Sequence, residues 1–156
     1  MKFFETSQDI AELAQTKFED TGLAQMGINL KVMSVTKAKN VLKVAKAGAT
    51  IQYLTNKDAI LIIYEEAFDR LTDEMKEKLM IGALSNIAYD HEKDKLIVET
   101  DIAKEIFRMR RHFENYVDML ETSHIVINEI EDEEKRRKEE EKLKKAEEKA
   151  AKKRKG

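Results

Sequence analysis

Few residues in this 156-residue sequence have the types and spacing that catalysis requires. It contains no cysteine, and its three histidines, His91, His112 and His124, lie far apart along the chain. Disulfides, thiolate nucleophiles and cysteine-bearing zinc sites are therefore excluded, and three scattered histidines do not predict a metal site. No serine lies in a nucleophile elbow, and no glycine-rich phosphate loop occurs. Serine hydrolysis and nucleotide hydrolysis are unsupported.

The elements that would position a site are predicted from hydrophobic periodicity. Apolar residues at helical spacing, followed by a glycine, predict a helix over residues 7–20. Alternating apolar and polar residues at 28–32 predict a half-buried strand, and a short helix is expected over 36–48. Residues 49–54 and 59–64 are expected to form a hairpin. The second run is apolar at every position, which indicates a central strand.

Helices dominate the rest of the predicted fold. A helix is expected from residue 72 to about 89, a short strand over 96–98 and another helix from 100 to about 120. Residues 122–123 are expected to break the helix, and the last helix begins at 125. The resulting fold class is α+β, with a small mixed or antiparallel sheet packed against helices and a long charged helix at the C-terminus.

The C-terminal segment is almost purely charged. Residues 128–156 hold 12 Lys+Arg and 10 Asp+Glu, in a chain whose net charge is −2. Many acid-before-base pairs lie four residues apart, such as Glu131/Lys135, and each adds ~0.2–0.5 kcal/mol to a helix in water. No heptad seam is present. We therefore expect a domain over 1–124 and a mostly solvated helix over 125–156, with docking on a partner as the alternative.

Composition also limits the compartment and the partners. The N-terminus lacks the apolar run of a signal peptide, and no stretch approaches the ~20 apolar residues that cross a bilayer. No membrane partner is expected. Neither half of the chain is strongly basic, so any binding of nucleic acid is expected to be weak and sensitive to salt.

The segment from Ala59 to Ile102 is where the sequence becomes recognisable. A buried strand, an acidic turn, an amphipathic helix containing GALSN, a short strand and a polar pair opening the next helix follow in order. This arrangement resembles the family of putative phage metallopeptidases, which has a zincin-like fold, and the resemblance spans about residues 10–120. The family's helix carries an HELxHI motif, in which two histidines hold zinc and the glutamate accepts a proton from bound water.

Aligned on that motif, Gly82 and Asn86 take the places of the two histidines and Ala83 that of the glutamate. Glycine and alanine have no donor atoms, and an amide is a poor zinc ligand. A third ligand falls near Thr100 or Asp101, where only the Asp101 carboxylate is available. The resemblance therefore implies a pseudoenzyme without metal or cofactor. A glycine within a helix suits a close approach by a neighbouring element. Neighbouring side chains are expected to fill the space that a histidine at position 82 would occupy.

What the resemblance implies for function is a phage protein that works by binding another protein. The partner would be a virion component or a host factor that the protein inhibits, in the host cytoplasm or the virion. The alternative is a nucleic-acid accessory protein that uses two basic groups. These candidate binding residues are Arg108, Arg110, Arg111 and His112 in one helix, and Lys152, Lys153, Arg154 and Lys155 at the C-terminal tip. A third possibility is a displaced enzyme site formed by Asp90, His91 and Asp101.

Overall fold

The computed structural model describes residues 1–155 and confirms the α+β class. The strands are β1 Phe3–Phe4, β2 Leu30–Val35, β3 Leu42–Lys46, β4 Ala59–Tyr64, β5 Ile87–Asp90 and β6 Lys95–Val98. The helices are α1 Gln8–Asp20, α2 Ala49–Thr55, α3 Glu65–Asp69, α4 Asp73–Leu84, α5 Ile102–Met109 and α6 Tyr116–Lys155.

The main sheet is mixed and has the strand order β1-β2-β4-β3. Strand β4 lies parallel to β2 and antiparallel to β3, so it is hydrogen-bonded on both sides, as its continuous apolar run predicts. Along β4, Leu61 and Ile63 are fully buried, whereas Ile60 and Ile62 on the other face are half-buried. The helices therefore cover one face of this sheet more completely than the other. Strands β5 and β6 form a separate antiparallel hairpin.

Helices α1 and α4 contact each other beside the sheet and supply much of the core. Phe18 of α1 and Met80 and Leu84 of α4 are among the largest side chains that the fold buries completely. Thr72 caps α4 by accepting a hydrogen bond from the Met75 backbone N–H, and acidic residues fill the first turn as expected. This packing fixes α4, whose C-terminal end carries the segment that resembles the metallopeptidase motif.

Two predicted elements on either side of Gly48 are wrong. Residues 42–46 form strand β3 rather than part of a helix, because Leu42 and Val44 alternate with lysines and Val44 pairs with Leu61 of the central strand. Residues 49–54 belong to helix α2 rather than to a strand. None of the α2 side chains is buried, so their pattern of polarity carries no information about a core-facing side.

Three predicted boundaries of the C-terminal helices also need correction. Helix α4 ends at Leu84 rather than near residue 89, because residues 87–90 pair with β6. Helix α5 ends at Met109, and α6 starts at Tyr116 and runs unbroken through residues 122–123. The Ser123 hydroxyl donates to the Leu120 carbonyl oxygen inside this helix, so the serine is accommodated without ending it.

Helix α6 has a buried first part and an exposed second part. Val126, Ile127 and Ile130 are buried in the core, so the packed part of the helix extends beyond residue 124. Arg70 donates two hydrogen bonds, of 2.9 and 2.8 Å, to the Glu133 carboxylate, and this contact lowers the pKa of Glu133. From residue 135 to residue 155 every side chain is exposed. The division into domains at residue 124 stays a prediction.

We predict that ending the chain after Glu134 leaves the folded core intact. The thermal midpoint should change by no more than a few degrees, because only exposed side chains are lost. Ending the chain after Ile125 should prevent stable folding, because three buried side chains, each worth about 1.5–3 kcal/mol, are removed. Thermal unfolding followed by circular dichroism checks both. Equal stabilities for the two truncated chains would contradict the burial pattern.

Candidate functional site

A cleft of about 350 Å³ lies between strand β3, the end of α4, the start of α5 and the first turns of α6. Ala83 and Asn86 line it from α4 and the turn that follows, and Glu105 and Tyr116 line it from α5 and α6. Strand β6 lies near β3 without pairing with it. The cleft therefore borders the GALSN segment, residues 82–86, through Ala83 and Asn86.

Strand β3 presents its free edge to this cleft. The bonds from the Tyr64 N–H to the Val41 carbonyl and from the Ala47 N–H to the Asp58 carbonyl fix the antiparallel hydrogen-bonding pattern with β4. In that pattern the backbone groups of residues 42, 44 and 46 point away from β4. No strand of the described residues pairs with this edge. Leu42 and Val44 thus offer backbone donors and acceptors beside the cleft.

A buried carboxylate links three elements at the floor of the cleft. Glu105 is only 7% exposed, and its two oxygens accept hydrogen bonds from the Asn86 amide at 2.5 Å and the Tyr116 hydroxyl at 2.8 Å. The Arg108 guanidinium donates to the Asn86 carbonyl oxygen at 2.6 Å and to the Ser85 hydroxyl at 3.1 Å. Every polar atom of this carboxylate has a partner, which is what burial of a charge requires.

The Tyr116 hydroxyl occupies the space beside Gly82. A Cβ atom built on Gly82 would lie 1.9 Å from the Tyr116 hydroxyl oxygen and 2.5 Å from the ring carbon that bears it. Both distances are well inside van der Waals contact, so no side chain at position 82 is compatible with this position of Tyr116. The glycine is therefore a requirement of the packing between α4 and α6.

The Tyr116 hydroxyl is a hydrogen-bond donor to the Glu105 carboxylate. Burial of the phenol, together with the nearby Glu105 carboxylate, raises the pKa of Tyr116 far above its usual value. The hydroxyl consequently keeps its proton, and the carboxylate keeps its donor. The group has no capacity to act as a base or a nucleophile near neutral pH.

A model of the putative phage metallopeptidase family matches residues 2–149. The chain belongs to this family. No curated protein and no solved structure matches it. The match extends beyond the predicted span of about residues 10–120 and includes most of α6, so the charged helix falls within the region that the family model describes. Among residues 1–155 of this family member, no helix is both long and apolar enough to cross a membrane.

Of the three positions that the resemblance aligns with the metallopeptidase motif, Ala83 and Asn86 line the cleft, and Gly82 lies against Tyr116, which also lines it. Gly82 and Ala83 are in the last turn of α4, whereas Asn86 follows the end of the helix and directly precedes β5. The Asn86 side chain is engaged on both its amide and its carbonyl, with Glu105 and Arg108 respectively. Asp101, the remaining carboxylate that the resemblance points to, caps α5 by accepting a hydrogen bond from the Ala103 N–H.

The candidate basic residues at positions 108–112 do not form one surface, and only Arg108 belongs to α5, because the helix ends at Met109 and the other three follow it. Arg108 is part of the buried network, while Arg110, Arg111 and His112 are exposed. The Arg111 guanidinium lies 4.8 Å from the centre of the Phe107 ring, which is 66% exposed.

The second basic group, Lys152, Lys153, Arg154 and Lys155, lies in the last turn of α6. At ~1.5 Å per residue it is about 54 Å from the start of this helix, so it cannot join the α5 group in one binding surface on the same chain.

The displaced site proposed from Asp90, His91 and Asp101 is not assembled by hydrogen bonds. Asp90 accepts from two backbone N–H groups of its own turn, His91 makes an edge-on contact with the Tyr89 ring, and Asp101 is the cap of α5. Over residues 1–155, no three histidine, aspartate or glutamate side chains are grouped so as to hold a metal ion.

Sequence reasoning missed the roles of Glu105 and Tyr116. By sequence pattern, Glu105 is predicted to be a solvated charge and Tyr116 a core residue of one continuous helix. The two side chains meet because α5 and α6 are separate helices. The available signal was Gly82, whose place inside a helix indicates a close approach by another element. That expectation is confirmed, although the residue that approaches could not be identified.

We predict that Gly82→Ala destabilises the natural chain but stabilises a chain that carries Tyr116→Leu. In the natural chain the new methyl displaces the phenol from Glu105, so the free energy of unfolding should fall by about 1–3 kcal/mol. In a Tyr116→Leu background the same substitution should raise it by about 0.5–1 kcal/mol, because alanine is the better helix former. Urea unfolding of the four chains measures both effects, and the same sign in both backgrounds would contradict the contact.

Proposed function

We propose that this chain is a non-catalytic member of its family, a pseudoenzyme that binds an extended segment of another protein in the cleft beside β3. The partner is a virion component or a host factor that the protein inhibits, so the protein acts in the host cytoplasm or in the virion. The observation that carries the proposal is the filling of the space beside Gly82 by Tyr116.

The residues at the motif positions do not fit a zinc ion. Zinc ligands approach the metal to about 2.0–2.3 Å with a lone pair, and position 82 has neither a donor atom nor the room for one. The Asn86 amide is already used by Glu105, and its carbonyl by Arg108. The Ala83 methyl cannot take a proton from a water molecule. The residue types at these positions and the packing around Gly82 both support a non-catalytic role.

The cleft has the features of a site that adds a strand to a sheet. The outward backbone groups of Leu42 and Val44 provide main-chain hydrogen bonds for an extended segment, which give affinity without selecting a sequence. Apolar side chains on the walls, including Leu79 and Leu120, provide surfaces for alternate side chains of that segment. Glu99 and Asp101 line the same cleft and favour a basic residue in the partner.

A second candidate function is binding of single-stranded nucleic acid by α5 and the turn that follows it. The exposed Phe107 ring, with Arg111 stacked on it and Arg110 nearby in sequence, combines an aromatic surface with positive charge. Bases stack on such rings while the phosphates contact the arginines. Only two free arginines are involved, so this binding would weaken steeply as salt is added.

We predict that the purified protein does not retain zinc. After preparation without chelators and incubation with excess zinc, gel filtration should leave far less than one zinc ion per chain by atomic absorption, and no peptidase activity should be measurable. One zinc ion per chain, accompanied by peptidase activity that a chelator abolishes, would overturn the pseudoenzyme proposal.

We predict that Val44→Pro weakens binding of the protein partner. The substitution removes an N–H that faces the cleft rather than β4, so the affinity of a captured and purified partner should fall about tenfold or more. Lys46→Pro controls for the loss of an outward N–H, because residue 46 does not line the cleft, and circular dichroism must show both variants folded, since the Val44 side chain is buried. Calorimetric titration of the natural chain and both variants makes the comparison.

The same experiment separates the two candidate functions. A complex that survives nuclease treatment and is weakened by Val44→Pro alone supports the peptide cleft. A complex that nuclease dissolves, and that is lost when Arg110 and Arg111 are both replaced by glutamate, supports nucleic-acid binding instead. A partner that binds the natural chain and Val44→Pro equally would rule out strand addition at β3.

A further inference from the structure

An unusual concentration of lysine lies around strand β3 and helix α2. Between residues 36 and 57 there are five lysines and neither an acidic residue nor an arginine, in a chain whose net charge is −2; these lysines are Lys37, Lys39, Lys43, Lys46 and Lys57. Four are exposed and Lys57 is half-buried. None takes part in a salt bridge within the described chain. This segment therefore carries uncompensated positive charge.

Helix α2, in the middle of this segment, is an apolar protrusion. Tyr53 is 90% exposed, Leu54 is 72% exposed and Ile51 is 43% exposed, and the helix buries none of its residues. Large apolar side chains that are exposed singly are common, but several exposed together on one short element indicate an interaction site. Lys46 and Lys57 lie at the two ends of the connection that carries the helix.

The base of α2 is held in place by hydrogen bonds. The Asn29 side chain donates to the Asn56 carbonyl oxygen at 3.1 Å, and the Asn29 N–H donates to the Asp58 carboxylate at 2.7 Å. Asn56 closes the helix in the left-handed conformation, with φ of 55°. The apolar side chains are thus presented on a fixed support, and Asp58, the first acidic residue after the lysines, is already engaged.

The residue types in α2 and its flanking lysines favour one class of partner over the others. Three side chains on a seven-residue helix cannot supply the ~800 Å² per partner of a stable dimer, so a second copy does not suit it. Lysine is depleted from protein interfaces, and nucleic-acid contacts favour arginine and planar rings over the aliphatic Ile51 and Leu54. Lysines around tyrosine and aliphatic side chains are instead typical of elements that lie in the headgroup region of a bilayer.

We infer that α2 and its flanking lysines form a peripheral docking site for an anionic lipid surface. Ile51, Tyr53 and Leu54 enter the boundary between headgroups and acyl chains, while Lys46 and Lys57 contact the lipid phosphates. A protruding helix needs no complementary pocket in such a partner. The inference departs from the expectation that membranes have no part in the function, since that expectation rested on the length of apolar runs and a peripheral site requires no such run.

The test uses the full-length chain with vesicles of phosphatidylcholine alone and of phosphatidylcholine mixed with phosphatidylglycerol. Sedimentation should show binding to the mixed vesicles and little binding to the neutral ones, and added salt should weaken it. Replacing Tyr53 and Leu54 together by serine should reduce the partition coefficient about tenfold or more. Replacing Lys46 and Lys57 together by glutamate should abolish the preference for anionic vesicles.

Matched controls exist on helix α6. Leu143→Ser removes a leucine that is 64% exposed, and glutamate at both Lys142 and Lys144 makes the same change in net charge far from α2. Both controls should bind vesicles like the natural chain, and circular dichroism should show every variant folded. The inference is wrong if the natural chain binds neither kind of vesicle. It is also wrong if the α6 controls lose binding to the same extent as the α2 variants. Binding to single-stranded DNA but not to vesicles, lost in the α2 variants, would reassign the site to nucleic acid.

Discussion

The buried carboxylate of Glu105 is the constraint on which the arrangement of the C-terminal half depends. A charge in this position is tolerated only with a donor on each oxygen, and the two donors come from different elements: Asn86 after α4 and Tyr116 at the start of α6. Arg108 then binds the far side of the Asn86 amide and supplies the nearby positive charge. Because these bonds join three helices, they fix both walls of the cleft relative to each other.

The absence of a side chain at position 82 follows from the same constraint. The Tyr116 phenol reaches Glu105 by lying against α4 at Gly82, where the missing side chain leaves room for it. Any side chain at position 82 and the present position of Tyr116 are mutually exclusive.

Much of the fold can be predicted from local sequence patterns, and the wrong predictions have a common physical cause. The first helix, the central strand and the cap of α4 depend on periodicity and capping, which are properties of neighbouring residues. The predictions for residues 36–54 are wrong because β3 owes its conformation to pairing with β4, and because α2 has no buried face whose apolar pattern would identify it as a helix. The network at the cleft joins residues 11–23 positions apart, so its members could be listed from sequence but not brought together.

Strand β3 connects the two surfaces for which we propose partners. Its outward edge borders the cleft at Leu42 and Val44, and its last residue, Lys46, leads within a few residues into the exposed helix α2. A five-residue strand spans ~17 Å, so a segment paired along β3 would lie within that distance of any surface that α2 contacts. The charged part of α6 begins beyond the core and has no apolar face that could cover either region. Under both proposals, a protein bound in the cleft would be held close to the lipid headgroups.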